Sequence, residues 1–344
     1  MPEIPSTVTL QQVADAAGVS LATASRVLHG SGGRSPTEAL RARVEDAATR
    51  LHYVSNGPAQ ALARSTTSIV GLIVHDIADP YFAAIAAGAM RAARAEDLMV
   101  MVASTFREPK LELDYVRRLR TQRARAILLA GSAFTTGEFL TELGEELAAY
   151  TARGGRVAAI GGHGLGVSAV EPENHEGGRA AGEHLLALGH TAIGVVAGPP
   201  QLAAVTHRLA GFREALGPLP CQVATADFTR EGGRQATLAL LAEHPELTAI
   251  FALNDLMALG AMAAARELGR RCPEELSIIG FDDLPTAVDA NPPLTTIRLE
   301  LTELGAAAMS LVLAEETQPP RSILAPATLI PRASTAPAPA PASS

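Results

Sequence analysis

Residues 9–28 read TLQQVADAAGVSLATASRVL, and this stretch predicts two short helices joined by a tight turn. Thr9 and Gln12 have the spacing of a capping box, in which each side chain bonds the free backbone N–H of the other residue. Gly18 stands where the backbone must turn without a Cβ clash, and Ser20 can cap the second helix. The apolar residues at helical spacing on the inner face of the first helix are Leu10, Val13, Ala14 and Ala17. The stretch therefore predicts a helix–turn–helix unit.

The second predicted helix, Leu21 to Leu28, has an outer face suited to the major groove of DNA. Its inner face is predicted to consist of Ala24, Val27 and Leu28. A helix in that groove needs small residues for close approach, hydroxyl groups for phosphates and an arginine for guanine edges or phosphates. The residues of this unit predicted to contact DNA are Thr9, Ser20, Leu21, Ala22, Thr23, Ser25 and Arg26. The pattern alone leaves an ordinary helical hairpin as the alternative, because short helix pairs are common.

A third helix is predicted directly after a glycine-rich loop. Ser35, Pro36 and Glu38 supply a cap, a proline at the first helical position and the second member of a capping box. Its buried stripe is predicted to consist of Leu40, Val44, Ala47 and Leu51. The arginines on its other faces are Arg41, Arg43 and Arg50, for which a solvated surface is one interpretation and, for Arg50, the preferred one. Three helices with so little apolar surface predict a small domain of marginal stability.

Residues 53–68, YVSNGPAQALARSTTS, are predicted to link this small domain to the rest of the chain. Pro58 can begin a helix that is too short to be stable in isolation. Leu62 has two interpretations. It is either a leucine that lies against the following domain, or an apolar wedge inserted between base pairs in the minor groove, with folding coupled to binding. The linker residues predicted to contact DNA are Asn56, Ala59 and Leu62.

The composition limits the classes of protein to which this chain can belong. Its 344 residues allow two or three domains, and its net charge is −8. Residues 1–64 carry about one net positive charge, so DNA binding must depend on the local placement of arginines and helix N-termini. Cys221 and Cys272 are interpreted as thiols in a reducing compartment, and not as a disulfide or a zinc site. The N-terminus lacks the pattern of a signal peptide, and no apolar run approaches the ~18 residues of a membrane helix. We therefore expect a cytoplasmic protein without a metal or a cofactor.

From Ile69 onward, short apolar runs alternate with helical stretches. This alternation predicts doubly wound parallel sheets, and the number of units predicts two such lobes. The predicted strands are 69–74, 99–104, 126–130, 157–161, 193–198, 249–253 and 277–281. The predicted helices lie near 81–95, 108–122, 138–152, 176–188, 204–216, 231–243, 255–268 and 300–314. Residues 333–344, which end in APAPAPASS, are predicted to be a disordered tail.

Short motifs follow one another in a fixed order from about residue 9 to residue 332. The first two are TLQQVADAAGVSLATASRVLHG at 9–30 and the pattern N-x-x-A-Q-x-L at 56–62. The later ones are DPYF at 79–82, LLALGH at 185–190, AGP at 197–199, HRLAGF at 207–212, DF at 227–228, NDLMALGA at 254–261, SIIGFDD at 277–283 and PPLTTI at 292–297. Any one of these motifs is only suggestive, but the ordered set resembles the lactose-repressor (LacI/GalR) family.

The resemblance implies a homodimeric transcription factor, usually a repressor, that binds palindromic operator DNA. It also implies a periplasmic-binding-protein-like core of two lobes crossed by three strands, with a small-molecule effector, a sugar or sugar derivative, in the cleft. By motif position, Tyr81 and Phe82 match an aromatic pair that covers a ligand ring, and Phe228 matches the opposite wall. The residues that match polar groups holding sugar hydroxyls are Arg208, Asn254 and Asp282, and Asp76 is a further candidate.

The positions of the polar candidates agree with a general property of open α/β sheets. Ligands bind beyond the carboxyl ends of the strands, where Asp76, Asn254 and Asp282 are predicted to lie. Two alternatives stay open, because Asp282 can be a turn residue after a strand and Asn254 can be a helix N-cap. Asp255 and Asp283 are interpreted as structural caps or turns.

Taken together, the sequence predicts a small all-α helix–turn–helix headpiece (1–54), a hinge linker (55–68) and an α/β core of two doubly wound parallel-sheet lobes (69–332). An α/β enzyme and a solute-binding protein without DNA binding are the rival interpretations. GGHGLG at 161–166 lacks the GxGxxG spacing of a dinucleotide site, and no nucleophile constellation is evident. The predicted headpiece and the missing signal peptide argue against a transport protein. Whether the effector acts as inducer or corepressor stays open.

Overall fold

A computed structural model describes residues 8–29, 36–53, 67–131, 138–314 and 320–339. Internal contacts divide the chain into two compact units, with the boundary between Thr67 and Ser68. The first unit contains α1 (Leu10–Ala17), α2 (Leu21–His29) and α3 (Glu38–Arg50). The linker residues Asn56, Ala59 and Leu62, predicted to contact DNA, lie outside the described residues.

The helix–turn–helix of the first unit forms with the predicted caps. Thr9 N donates to Gln12 Oε1 at 2.8 Å, and Gln12 N donates to Thr9 Oγ1 at 3.3 Å, which completes the capping box. Gly18 ends α1 in the left-handed conformation, with φ of +60°. Ser20 Oγ accepts from Thr23 N at 3.2 Å at the start of α2. The fully buried residues beneath these helices include Val13, Ala14, Ala24, Val44 and Ala47.

The third helix differs from its prediction at its start, and one of its arginines bonds another helix. It begins at Glu38 and not at Pro36, because Thr37 is extended and forms the N-cap, while Ser35 lies outside the described residues. Arg43, for which a solvated surface was one interpretation, donates from its guanidinium to the carbonyl oxygens of Ala17 and Gly18. This arginine therefore ties α3 to the C-terminal end of α1, where helix carbonyls lack partners within their own helix.

The second unit is an α/β structure with two parallel sheets. Its strands are β1 (Ile69–Val74), β2 (Met99–Ser104), β3 (Ala126–Ala130), β4 (Arg156–Ile160), β5 (Ser168–Pro172), β6 (Ile193–Ala197), β7 (Cys221–Thr225), β8 (Ala249–Ala252), β9 (Ser277–Ile279), β10 (Thr296–Arg298), β11 (Ser322–Ala325) and β12 (Thr328–Ile330). Its helices are α4 (Pro80–Ala95), α5 (Pro109–Thr121), α6 (Glu138–Thr151), α7 (Asn174–Ala187), α8 (Ala203–Leu216), α9 (Arg230–Glu243), α10 (Asp255–Glu267), α11 (Pro285–Asp289) and α12 (Leu301–Leu313). The fold-class prediction of a headpiece and a parallel-sheet α/β core is confirmed.

The two sheets define two lobes. The first lobe has the strand order β11-β5-β4-β3-β1-β2, and the second has β7-β6-β8-β9. A short antiparallel pair, β10 with β12, lies where the chain passes between the lobes. The chain makes this passage from β5 to α7, from β10 to α12 and from β11 to β12. The resemblance implied three such crossings.

Several strands were missed by the sequence analysis because they lie at sheet edges or are very short. The strand β7 reads CQVAT and alternates between partly buried and exposed positions, so it has no continuous apolar run. The strand β11 is largely exposed along its length. The pair β10 and β12 has only three residues per strand, which is too short for any periodic signal.

The prediction of a disordered tail from residue 333 is wrong for residues 333–339. Ser334 is fully buried, and its carbonyl oxygen accepts from Ile278 N at 2.8 Å beside the second sheet. Ala336 O accepts from His190 Nε2 at 3.0 Å, and Ala338 N donates to Leu188 O at 2.8 Å. These backbone bonds to the second lobe hold a segment whose proline-rich composition alone predicts disorder.

Three helix pairs cross at reciprocal glycines, which allow unusually close backbone contact. A Cβ on Gly178 of α7 would lie 2.0 Å from the carbonyl oxygen of Arg208 on α8, and a Cβ on Gly211 of α8 would lie 1.9 Å from His175 O on α7. The same arrangement joins α4 to α12 through Gly88 and Gly305. These crossings position the helices that carry the site described below.

We expect Gly178→Ala to lower the free energy of unfolding by about 1–3 kcal/mol, because the added methyl group meets backbone atoms that cannot move independently. Gly144→Ala is the matched control. A Cβ on this α6 glycine has no neighbour closer than 3.9 Å, so the change should stabilise by about 0.5–1 kcal/mol through helix propensity. Urea unfolding curves of both variants measure the difference. Equal effects of the two changes would contradict the close crossing.

Glu112 of α5 is a buried carboxyl group whose pKa burial raises to about 7. Its pKa in the unfolded chain is lower, so the folded state binds the extra proton and stability falls as pH rises from about 4.5 to about 7. We expect Glu112→Gln to be more stable than the wild type at pH 8, by up to about 3 kcal/mol, and nearly equal at pH 4.5. The exposed Glu145→Gln serves as the control. A pH-independent difference between Glu112→Gln and the wild type would contradict this assignment.

Candidate functional site

A cleft opens between the two lobes at the carboxyl ends of their strands. This is where ligands bind in open α/β sheets, because loops from several strands converge there. Of the seven residues predicted to bind an effector, six line this cleft: Tyr81, Phe82, Arg208, Phe228, Asn254 and Asp282. Asp76 does not. It is half-buried in the loop after β1, and its Oδ1 accepts from Ala78 N at 2.9 Å.

Arg208, on the first turns of α8, is the most heavily bonded side chain of the cleft. Its Nε donates to Asn174 Oδ1 at 2.8 Å, and its two Nη atoms donate to Leu253 O and to Asp282 Oδ1, the latter at 3.0 Å. The guanidinium carbon lies 3.7 Å from the centroid of the Phe281 ring. These contacts fix the plane of the guanidinium group, while each Nη keeps one N–H for a ligand.

Asp282 is 3% exposed and forms a buried ion pair with Arg208. Burial raises the pKa of its carboxyl group to about 7, although the neighbouring Arg208 favours the ionised form. Its backbone has φ of +109°, a conformation that is costly for a residue other than glycine and that occurs mostly at functional sites. The backbone of Asp282 forms an isolated bridge with Arg298 and not a regular turn, and its side chain lines the cleft.

The aromatic residues form two opposite sides of the cleft. Tyr81 and Phe82 begin α4 and meet edge to face, with ring centroids 4.9 Å apart. Asp79 caps this helix, since its Oδ1 accepts from Tyr81 N at 3.0 Å. Phe228 follows β7 in the second lobe and packs over Gly198, where a Cβ would lie 2.4 Å from the ring. Such faces suit the C–H surface of a sugar ring.

The hydrogen bonds and ion pairs of Asn254, Asp255 and Asp283 show which of these polar residues have a structural role. Asn254 is the N-cap of α10, with Oδ1 accepting from Met257 N at 2.9 Å, and it also lines the cleft. Asp255 accepts from Leu284 N and from Thr296 Oγ1. Asp283 pairs with both Arg298 and Arg332, each at 2.6 Å. The structural interpretation of Asp255 and Asp283 is confirmed.

Sequence reasoning missed several residues of the cleft, namely His75, Asp79, Arg107, Glu171, Asn174 and His207. Burial lowers the pKa of His75 to about 3, with a further contribution from the nearby charge of Arg107, so this imidazole is neutral. A signal was available for His75 and Asp79, because they flank the strand end at which Asp76 was chosen. Arg107 follows the carboxyl end of the parallel strand β2, so the same signal was available for its loop.

The candidate DNA-binding face belongs to the first unit. Ser20, Leu21 and Ala22 are exposed at the start of α2, and the leucine is 44% exposed although it is apolar. Ser25 and Arg26 are half-buried farther along the same helix. Thr9 and Thr23 take part in the capping bonds described above. The exposed start of α2 is the part that can approach a partner most closely.

The described residues place further limits on the chemistry. Over these ranges, no cluster of three or more His, Cys, Asp or Glu side chains could hold a metal ion. Cys221 and Cys272 are both free thiols and half-buried. None of the described helices has the apolar length needed to cross a bilayer.

Comparisons with known proteins agree with both units. Residues 9–56 match the bacterial regulatory proteins of the lacI family, and residues 182–335 match a periplasmic binding protein-like domain. The HTH-type transcriptional regulator GalS of Salmonella typhimurium is 32% identical, with 89% of each chain covered.

Two solved structures are similar over nearly the whole chain. One is the transcriptional regulator CelR–cellobiose complex, with 31% identity, 95% of this chain and 99% of that chain covered, and a TM-score of 0.68. The other is the lac repressor dimer bound to operator and an anti-inducer, with 28% identity, coverage of 96% and 99%, and a TM-score of 0.82. These relatives confirm the prediction of a regulator over that of an enzyme. The chain belongs to the LacI family of bacterial regulatory proteins, and it is a DNA-binding transcriptional regulator.

Proposed function

We propose that this regulator binds a sugar or sugar derivative between its two lobes, and that this binding controls its affinity for an operator. The single observation that carries the proposal is the fixed Arg208–Asp282 pair in a cleft with aromatic side chains on both sides. A guanidinium and a carboxylate together donate to and accept from sugar hydroxyls, while aromatic faces cover the ring. Two relatives support this class of ligand, since one is bound to cellobiose and another to ribose.

The DNA-binding part of the proposal rests on the headpiece. Two copies of the chain form a homodimer, in which each α2 enters a major groove of one half of a palindromic operator. Ser25 and Arg26 contact bases or phosphates, and Leu21 and Ala22 adjust sequence preference. The lac repressor dimer bound to operator supports this geometry. A protein with this task acts in the cytoplasm, where the chromosome is.

The two activities are coupled through the lobes. A ligand that contacts Tyr81 and Phe82 in one lobe and Arg208 and Phe228 in the other favours one relative position of the lobes over others. That shift changes how two headpieces are presented to the operator. Coupling free energies of this kind are typically about 1–3 kcal/mol, which corresponds to roughly 5–150-fold in affinity.

The proposal is tested by measuring operator binding in the presence of candidate sugars. A fluorescent duplex from the promoter next to the protein's own gene is titrated with the full-length dimer at fixed salt. We expect at least one sugar to change the dissociation constant by more than fivefold, in either direction. An affinity that no member of a broad panel of sugars and nucleosides changes would refute the effector half of the proposal.

We expect Phe228→Ala to weaken binding of that sugar by about tenfold, because the variant loses one aromatic side of the cleft. Val223→Ala is the matched control in the same lobe, since Val223 is 37% exposed on β7 and does not line the cleft. Isothermal titration of both variants measures the difference. Equal affinities of Phe228→Ala and the control would place the sugar elsewhere.

A further inference from the structure

Arg107 is a cationic group of the cleft that forms no ion pair with any other residue the structure describes. It lies in the loop that joins β2 to α5, and its guanidinium carbon stands 5.7 Å from the centroid of the Phe228 ring. Its Nε is buried and finds no hydrogen-bond acceptor among the described residues. A buried N–H of a charged group without a partner is costly, so a ligand that supplies an acceptor there gains affinity.

The carboxylates that line the same cleft are engaged by other groups. Asp282 pairs with Arg208, and Asp79 caps the backbone N–H of Tyr81. Glu171 Oε1 accepts from Ser322 Oγ at 2.6 Å. In the described part of the chain, none of these carboxylates lies within the 4.0 Å of Arg107 that would make an ion pair. Burial raises the pKa of Asp79 and the charge of Arg107 across the cleft helps to lower it, but neither Asp79 nor another of these carboxylates forms an ion pair with Arg107.

Two further features favour an anion next to Arg107. Phe106 and Arg107 both have positive φ, of +52° and +61°, so the loop holds the arginine at the cleft in a conformation that non-glycine residues rarely adopt. The helix α8 begins nearby at Ala203, with Leu202 as its N-cap. Ala203 and Ala204 of this helix line the cleft, so the positive end of its dipole faces the same space.

Next to the cleft, a smaller hollow extends the space at Arg107. Its lining includes Phe106, Arg107, Gln201, Leu202, Asp227 and Thr229. The arginine lines both spaces, so a ring between the aromatic sides of the cleft can carry a substituent that reaches it.

We infer that the effector is an acidic sugar, in which a carboxylate or phosphate substituent pairs with Arg107 while the ring occupies the cleft. This inference rests on the proposed function, because it names the ligand class of the same cleft. Arg107 is from the first lobe and Phe228 from the second, so the anion completes a contact that joins the lobes. A neutral sugar leaves the guanidinium charge unpaired and binds more weakly.

The first test uses sulfate as a probe, which requires no knowledge of the sugar. The melting temperatures of the full-length wild type, Arg107→Gln and the exposed Arg153→Gln are compared in 50 mM sulfate and in chloride of equal ionic strength. Salt effects on the headpiece and on hydration are shared by all three proteins. We expect sulfate to raise the melting temperature of the wild type and of Arg153→Gln by at least about 2 °C more than that of Arg107→Gln.

The second test uses matched sugars in isothermal titrations: glucose with glucuronate and glucose 6-phosphate, and ribose with ribose 5-phosphate. We expect an acidic member to bind at least tenfold more tightly than its neutral partner, and Arg107→Gln to abolish this difference. A preference for glucuronate or for the phosphates identifies the anionic group.

The possible outcomes separate the acidic-sugar inference from the proposed function. Equal sulfate effects on the wild type and Arg107→Gln overturn the inference, as does a neutral sugar that binds as tightly as its acidic partner; the proposed function survives both results. If the sulfate effect requires Arg107 but no sugar binds or changes operator affinity, sugar sensing fails, and the acidic-sugar inference fails with it.

Discussion

Replacing Arg208 with methionine is expected to lower the free energy of unfolding by about 3–5 kcal/mol, because it leaves the Asp282 carboxyl buried without its cation. The change also removes the bonds to Asn174 and Leu253 that fix the start of α8 against the second sheet. The loss should grow with pH. Without Arg208 the pKa of Asp282 rises further above its value in the unfolded chain, so stability falls as pH increases from about 4 through 7.

A double variant separates the charge from the packing. Arg208→Met combined with Asp282→Asn removes the unpaired carboxyl, and asparagine tolerates the positive φ at this position better than an apolar residue does. We expect the double variant to recover most of the lost stability and, between pH 5 and pH 8, to keep only the pH dependence that other groups such as Glu112 contribute. Urea unfolding at both pH values measures this. A double variant as unstable as Arg208→Met would show that lost packing, and not a buried charge, causes the effect.

The sequence could predict many residues of the cleft but not all of them. Six of the predicted effector-binding residues line the cleft, because parallel strands bring their carboxyl ends to one edge. Asp76 does not line the cleft, because in the loop after β1 its side chain accepts from Ala78 N, while Asp79 reaches the cleft. A distance of three residues along a loop decides which carboxyl faces the ligand, and hydropathy carries no information about it.

The position of the Arg107 side chain in the cleft could not be predicted from the sequence for a different reason. Its role depends on two consecutive residues with positive φ and on Phe228, which is far away in the sequence and belongs to the other lobe. Neither a backbone conformation of this kind nor a contact across a cleft leaves a periodic pattern. The caps of α1 and α2 and most of the buried strands, in contrast, depend on neighbours within a few residues, so the sequence predicted them closely.

The order of the C-terminal tail also depends on long-range contacts that its local sequence does not reveal. Its alternating alanine and proline residues cannot form a helix or a central strand, and composition therefore predicts disorder. Ser334 and Ala336 are nevertheless held by Ile278 and His190, which precede them by more than fifty residues. Tertiary hydrogen bonds thus order a segment that has no regular structure of its own.

On the DNA side, Arg26→Ala is expected to weaken operator binding by about 1–3 kcal/mol per headpiece. A palindrome is read by two copies of α2, so the loss for the dimer is about 2–6 kcal/mol, or roughly 30-fold to 10⁴-fold in affinity. The physical reason is the loss of a guanidinium group that contacts either a guanine edge or a phosphate from within the major groove. Anisotropy titrations of an operator duplex and of an unrelated duplex, at the same salt concentration, measure the effect.

Arg50→Ala is the matched control, because this arginine of α3 has the same charge and lies in the same small domain. Its Nε pairs with Asp46 at 2.9 Å, and its side chain is 64% exposed, so its loss should change operator affinity by less than about 0.5 kcal/mol. If Arg26→Ala weakens only the operator, the arginine reads a base. If it weakens both duplexes and lowers the salt dependence, the arginine contacts phosphate. Equal losses for Arg26→Ala and Arg50→Ala would mean that the net charge of the headpiece, and not the outer face of α2, determines binding.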